Sequence, residues 1–153
     1  MRRDPLRPGR SVAWPQALRD VAFTAANAAA VHRLLVEGRQ HGGGRVDDFQ
    51  TWLDAFQSDP EFDRRLCFVV EDAQGPVAVA QCWTSAFIRN LVVDPRVQRR
   101  GVALALLERV FKAFAERGES HVDLKVMENN LAARQLYERA GMHYVQRYEL
   151  EPR

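Results

Sequence analysis

The chain has 153 residues, of which 46% are hydrophobic and 27% charged, as expected of a globular protein long enough for one domain with a sizeable core. Its formal net charge of +2 is too small for a general attraction to nucleic acid or membrane, and no window is long and apolar enough to read as a membrane span. "MRRDPLRPGRS" lacks the apolar run of an export signal, so the expected location is cytoplasmic, while Cys67 and Cys82 lack a metal-type spacing and read as reduced and buried.

Residues 1–16 are proline-rich, basic and poor in apolar side chains, and read as a flexible basic tail ahead of a single domain over 17–153. A short strand near Ala17 to Ala22 leads into "VAFTAANAAAVHRLLVEG", which has helical periodicity and ends at Gly38, a helix stop. After "HGGGR", the stretch "VDDFQTWLDAF" sets Phe49, Trp52, Leu53 and Phe56 on one face of a second helix closed by "SDP". "RLCFVVED", "AQG" and "PVAVAQCW" read as strand, turn and strand, and "FIRNLVV" as a third strand ending at Asp94-Pro95. "ALALLERVFKAFAERG" is a helix with an apolar stripe of Leu104, Leu107, Val110, Phe111 and Phe114, closed by Gly118. "HVDLKVM" reads as a strand, "NLAARQLYERAG" as a capped helix and "MHYVQRYEL" as a final strand. The strand-helix-strand portion predicts a right-handed βαβ unit and the hairpin an antiparallel pair, so the sheet is mixed and the class α/β (α+β).

"PRVQRRGVALALL" lies at a strand-to-helix junction. A helix opening near Gly101 leaves backbone N–H groups without intrahelical partners and a partial positive charge, which suit an anion. Gly101 and Ala103 let a bulky group approach the backbone, and Arg96, Arg99 and Arg100 add charge with a fork that fits phosphate. Charge and glycine alone favour an exposed loop of solvated arginines. Spacing points the other way.

Gln98-x-x-Gly101-x-Ala103 matches the acyl-CoA pyrophosphate signature, Q/R-x-x-G-x-G/A, and the chain resembles the GNAT superfamily of N-acetyltransferases. "FIRNLVVDPRVQRRGVALALL" is similar to the family's fourth strand and third helix. "LKVMENNLAARQLYERAGM" is similar to its fifth strand and fourth helix, with the N-x-x-A-x-x-x-Y spacing at Asn130, Ala133 and Tyr137. The resemblance implies a GNAT-like acyltransferase domain: a mostly antiparallel sheet with a splayed parallel pair and flanking helices. Acetyl-CoA is then the cosubstrate, with no metal. Its pantetheine arm would pair with the backbone of Leu91, Val92 and Val93. Its pyrophosphate would sit on Gln98, Arg99, Arg100, Gly101, Val102 and Ala103, while Asn130 would bond the arm and Tyr137 would be the general acid. From spacing alone Tyr137, on a face with Ala133, Leu136 and Ala140, reads as a core aromatic. The acceptor would be the primary amine of a small molecule or peptide, attacking the thioester directly. Pairing of relatives through edge strands or the C-terminal segment allows a homodimer.

One departure concerns the base. Where family members often place a glutamate, this chain has Phe87 and Lys125, so the base is either elsewhere, with Glu71, Asp123, Glu128 and His121 as candidates, or water. The missing carboxylates motivate an alternative, a non-catalytic CoA-binding regulatory module. Modest charge and scattered Trp14, Trp52 and Trp83 disfavour a nucleic-acid binder. His32, His121 and His143 lack a metal-binding spacing, and "HGGG" without a G-x-S-x-G elbow does not indicate a hydrolase.

Overall fold

The computed structural model describes residues 1–5, 17–42 and 46–146. Among them six strands form one sheet: β1 (Arg2–Arg3), β2 (Arg19–Ala22), β3 (Cys67–Asp72), β4 (Gly75–Trp83), β5 (Phe87–Val93) and β6 (Val122–Leu124). Their spatial order is β1-β6-β5-β4-β3-β2. Every neighbouring pair is antiparallel except β5 and β6, which run parallel because α3 (Val102–Glu116) carries the chain back between them. The other helices are α1 (Ala28–Gly42), α2 (Phe49–Ser58) and α4 (Leu131–Arg139).

Central strand β4 is buried continuously from Val77 to Cys82 because helices cover both faces of the sheet. Phe68, Val70, Ala80 and Cys82 face α3, whose Leu106, Leu107, Val110, Phe111 and Phe114 fill that core. Cys67, Val69 and Val79 face the opposite way, onto Val31, Leu34 and Leu35 of α1 and Trp52 and Phe56 of α2. Trp52, Phe56, Phe23, Phe62 and Trp83 meet in this second core through tilted and edge-on ring contacts. Both cysteines are free and buried, and burial pushes the Cys67 thiol up to about 12.

Four features depart from the sequence reading. The start of the expected tail, Met1–Pro5, is not a free tail: β1 pairs with β6, and Arg3, 3% exposed, reaches Glu108 at 2.8 Å while lying over the Phe111 ring. Residues 6–16 lie outside the described part. Helix α1 does not stop at Gly38 but runs through it to Gly42. The glycine is there for a close approach, since a Cβ would stand 2.5 Å from Val92 Cγ1. Strand β6 ends at Leu124 rather than continuing through Met127. Residues 142–146 form no strand; the edge position beside β6 is taken by β1, and His143 contributes only an isolated bridge to Arg2. The remainder of the expected last strand, 147–150, lies outside the described residues.

Candidate functional site

Strand β5 is paired along one edge with β4, from Trp83↔Phe87 to Ala78↔Val93. Along its other edge β6 pairs only at Phe87↔Asp123 and Ile88↔Leu124, and then leaves. Past Ile88 the outer edge of β5, including Leu91, Val92 and Val93, faces no strand among the described residues. Such an edge offers backbone N–H and C=O groups to an extended ligand carrying amides.

At the end of this edge the chain is pinned twice. Asp94 caps a short 3-10 turn (Pro95–Val97) by accepting from Arg96 N–H at 2.9 Å, and Val97 inserts into the core. Arg96 is held by Asp94 and by Gln74 Oε1 at 2.9 Å. The Gln98 carboxamide donates back to Val93 O at 3.1 Å, and its backbone N–H donates to Pro95 O. Val102 is again buried, so Gln98 to Gly101 form an exposed arch between two anchors. The arch contains two left-handed residues, Arg99 (φ 64) and Gly101 (φ 77). A non-glycine residue held there is strained by about 1–2 kcal/mol, and such strain collects at ligand sites. Gly101 caps α3 without any side-chain hydrogen bond, and a Cβ built on it would meet nothing within 4 Å. The N-terminal end of α3 is thus closed by no capping side chain. Arg99 and Arg100 are exposed and make no ion pair among the described residues.

Asn130 is the N-cap of α4, with Oδ1 accepting from Ala133 N–H at 3.2 Å. Its Nδ2 has no partner among the described residues. Tyr137, on the same helix, is packed against the core beneath α3. Burial pushes its phenol above the ordinary range, so the hydroxyl is protonated at neutral pH. That hydroxyl finds no hydrogen-bond partner among the described residues. Near Asn130 in the chain, Met127 and Leu131 are 50% and 62% exposed.

The family model for the Acetyltransferase (GNAT) family matches residues 24–142. The chain belongs to this acetyltransferase family. This GNAT chain is 33% identical over 103 residues to a mycothiol acetyltransferase of Beutenbergia cavernae, a match covering 63% of this chain and 32% of that protein. It is 40% identical over 58 residues to the [ribosomal protein bS18]-alanine N-acetyltransferase of Escherichia coli K12, covering 38% of this chain and 39% of the relative. Among solved structures it superposes on a GCN5-related N-acetyltransferase from Sphaerobacter thermophilus with a TM-score of 0.77 and 26% identity, over 93% of this chain and 46% of that one. The chain thus spans about a third to two fifths of the length of these curated relatives. The GNAT fold accounts for the mixed sheet with its single parallel pair.

The candidate bases do not converge in this GNAT domain. Glu71 lies on β3, with β4 between it and β5, and bonds Arg19 at 2.8 Å. Asp123 accepts a two-pronged pair from Arg2 at 2.7 and 2.9 Å, which holds its carboxyl below the usual range. His121 meets Ser120 Oγ at 3.1 Å and stands 3.9 Å from Asp123. Glu128 precedes the α4 cap, and its backbone carbonyl accepts from Arg134. One polar pair escaped the sequence reading, Gln81 and Asn90 on neighbouring strands. Its signal was a glutamine inside the apolar run "PVAVAQCW". No helix of the described part is long and apolar enough to cross a membrane, and no group of three His, Cys, Asp or Glu residues in it could hold a metal ion.

Proposed function

We propose that this chain is an acetyl-CoA-dependent N-acetyltransferase that moves an acetyl group onto the primary amine of a small molecule or peptide by direct attack. One observation carries the reading: an unfilled glycine cap at the mouth of α3 stands at the end of a β5 edge that β6 has left open. Acetyl-CoA brings the acetyl thioester, and the family uses it as cosubstrate. The N–H groups of residues 99–103, flanked by Arg99 and Arg100, receive the pyrophosphate. Gln98 spends its amide and carboxamide within the loop, so its part is to hold the arch in shape. The β5 edge at Leu91 to Val93 pairs with the pantetheine amides, and Asn130 Nδ2 donates to one of their carbonyls. The Tyr137 hydroxyl gives its proton to the departing thiolate. With Phe87 and Lys125 at the usual base positions, the amine enters neutral and water carries off its proton.

The same two residues motivate the second reading, a regulatory CoA-binding module. Two measurements separate them. Acetyl-CoA at about 100 times its dissociation constant stabilises the native state by roughly 2.7 kcal/mol, a melting shift on the order of 5 to 10 °C for a domain of this size. Absence of any shift at millimolar acetyl-CoA refutes both readings. A shift without CoA release across a panel of amines, amino acids, aminoglycosides, polyamines and peptides leaves the binding module.

A further inference from the structure

Gln81 is 4% exposed in the middle of β4. It stands opposite Asn90 in the β4–β5 ladder, and Asn90 Nδ2 donates to Gln81 Oε1 at 2.7 Å. Their same-face neighbours Val79 and Val92 belong to the core under α1 and α2, whereas Ala80 and Leu91 belong to the core under α3. The carboxamide pair therefore lies on the α1–α2 face, and Tyr137 packs into the core on the other face.

One hydrogen bond uses a fraction of what two carboxamides offer. Whichever way the amides are turned, an NH2 group on one and a carbonyl on the other are left over, and no described residue answers either. A buried amide left so is costly, and a ligand that satisfies it removes the cost. The position is also specific. The register shift between Gln81 and Cys82 makes Arg89 an extra residue on β5, and the last β5–β6 pair is Ile88↔Leu124. Asn90 is thus the first regular residue of β5 beyond the point where β6 departs.

We infer that Gln81 and Asn90 receive the acceptor, and that the acceptor is an α-aminoacyl amine, one whose neighbouring carbon bears a carbonyl, as at a peptide N-terminus. This rests on the acetyl-transfer reading above. In an extended residue the nitrogen and the carbonyl oxygen face the same side, so they match a leftover donor beside a leftover acceptor. The NH2 group donates to the acceptor's carbonyl, and the carbonyl of the pair accepts an N–H from the neutral amine, leaving its lone pair for the thioester. On transfer the N–C bond forms and the C–S bond breaks. The nitrogen's proton leaves to water, and the thiolate takes one from Tyr137, which water restores.

The test compares alaninamide with sec-butylamine, an amine of similar shape without the carbonyl, at equal free-base concentrations and saturating acetyl-CoA. The parent protein is set beside Gln81→Met, which keeps length and burial, and Asn90→Ser. Expected is at least a tenfold preference of the parent for alaninamide in kcat/KM. Gln81→Met should lose roughly tenfold on alaninamide, the scale of one hydrogen bond, through KM. Its rate with sec-butylamine, its KM for acetyl-CoA and its Tm should hold or, for Tm, rise. Asn90→Ser, which removes the carbonyl that accepts the amine's N–H, should slow both amines while leaving the KM for acetyl-CoA in place. In Gln81→Met, equal losses on both amines, no loss on either, or a Tm drop of several degrees with selectivity intact would mean that the amides serve the fold, and the inference falls. Transfer to sec-butylamine but not alaninamide overturns it alone. No transfer to any amine, with acetyl-CoA binding retained, overturns the acetyl-transfer reading as well.

Discussion

Removing one oxygen from Tyr137 separates a catalytic phenol from a packed ring. The ring lies against the core beneath α3, while its hydroxyl bonds no described residue and burial holds it protonated. Tyr137→Phe keeps the packed surface and deletes only a polar group that the interior does not pair, so the Tm should be unchanged or higher, by no more than about 4 °C. Acetyl-CoA binding should be equally untouched. The chemical step is another matter, since general acid catalysis contributes a hundredfold or more in many enzymes. A thiolate is already a fair leaving group, so the expected slowing is roughly ten- to a hundredfold, about 1.4–2.7 kcal/mol of barrier. The assay is a single turnover with enzyme in excess over acetyl-CoA, because product release can hide chemistry in the steady state. Stability against pH provides a second signature. The folded-state pKa of this phenol is raised, so the stability it confers is full below the unfolded value of about 10 and is lost as pH rises beyond it. The parent should therefore lose ground to Tyr137→Phe only above about pH 10. A single-turnover rate equal to the parent's would refute the assignment of Tyr137 as general acid.

Gly101→Ala should cost about 1 kcal/mol of stability from its left-handed φ of 77 and, by filling the space beside the cap, remove most of the acetyl-CoA melting shift; a full shift would mean that no ligand uses that space. Gly38→Ala should destabilise by about 1–3 kcal/mol in thermal unfolding, because its Cβ would stand 2.5 Å from Val92 Cγ1, and adding Val92→Ala should return part of the loss. Asp63 accepts from Arg117 at 2.6 Å and from Arg65, which holds its carboxyl well below the usual carboxylate range. Asp63→Asn should lower stability by about 2 kcal/mol at neutral pH. Since that folded-state pKa is depressed, the difference should be full above about pH 4 and fade as pH falls below it. Turnover should rise with pH as the acceptor amine loses its proton, and Glu71→Gln should leave the profile in place; a hundredfold loss in that variant would identify a dedicated base.

The strand-loop-helix at "LVVDPRVQRRGVALALL" could be read from the sequence because every signal in it is local. A β-branched run, a turn at Asp94-Pro95, a glycine cap and an apolar stripe each act over a few residues, and the structure repeats them as β5, the capped turn, Gly101 and α3. The placing of Asn130 at a helix cap and Tyr137 about two turns beyond it follows from the same short-range rules. Residues whose state depends on distant partners were not readable in this way. "MRRDP" is a basic, proline-containing stretch until Asp123, Glu108 and Phe111, more than a hundred positions away, supply its ion pairs and its ring. Gly38 ends helices in general, but here it lets α1 lie on Val92, a contact no local pattern contains. Where β6 leaves β5, and hence where the opening begins, is set by the register Ile88↔Leu124 between strands separated by the whole of α3. Gln81 is one polar letter in an apolar strand; only the pairing of β4 with β5 brings it to Asn90 and buries it. Local sequence determines which conformations a segment prefers, whereas burial and pairing belong to the assembled sheet, because they are properties of two surfaces at once.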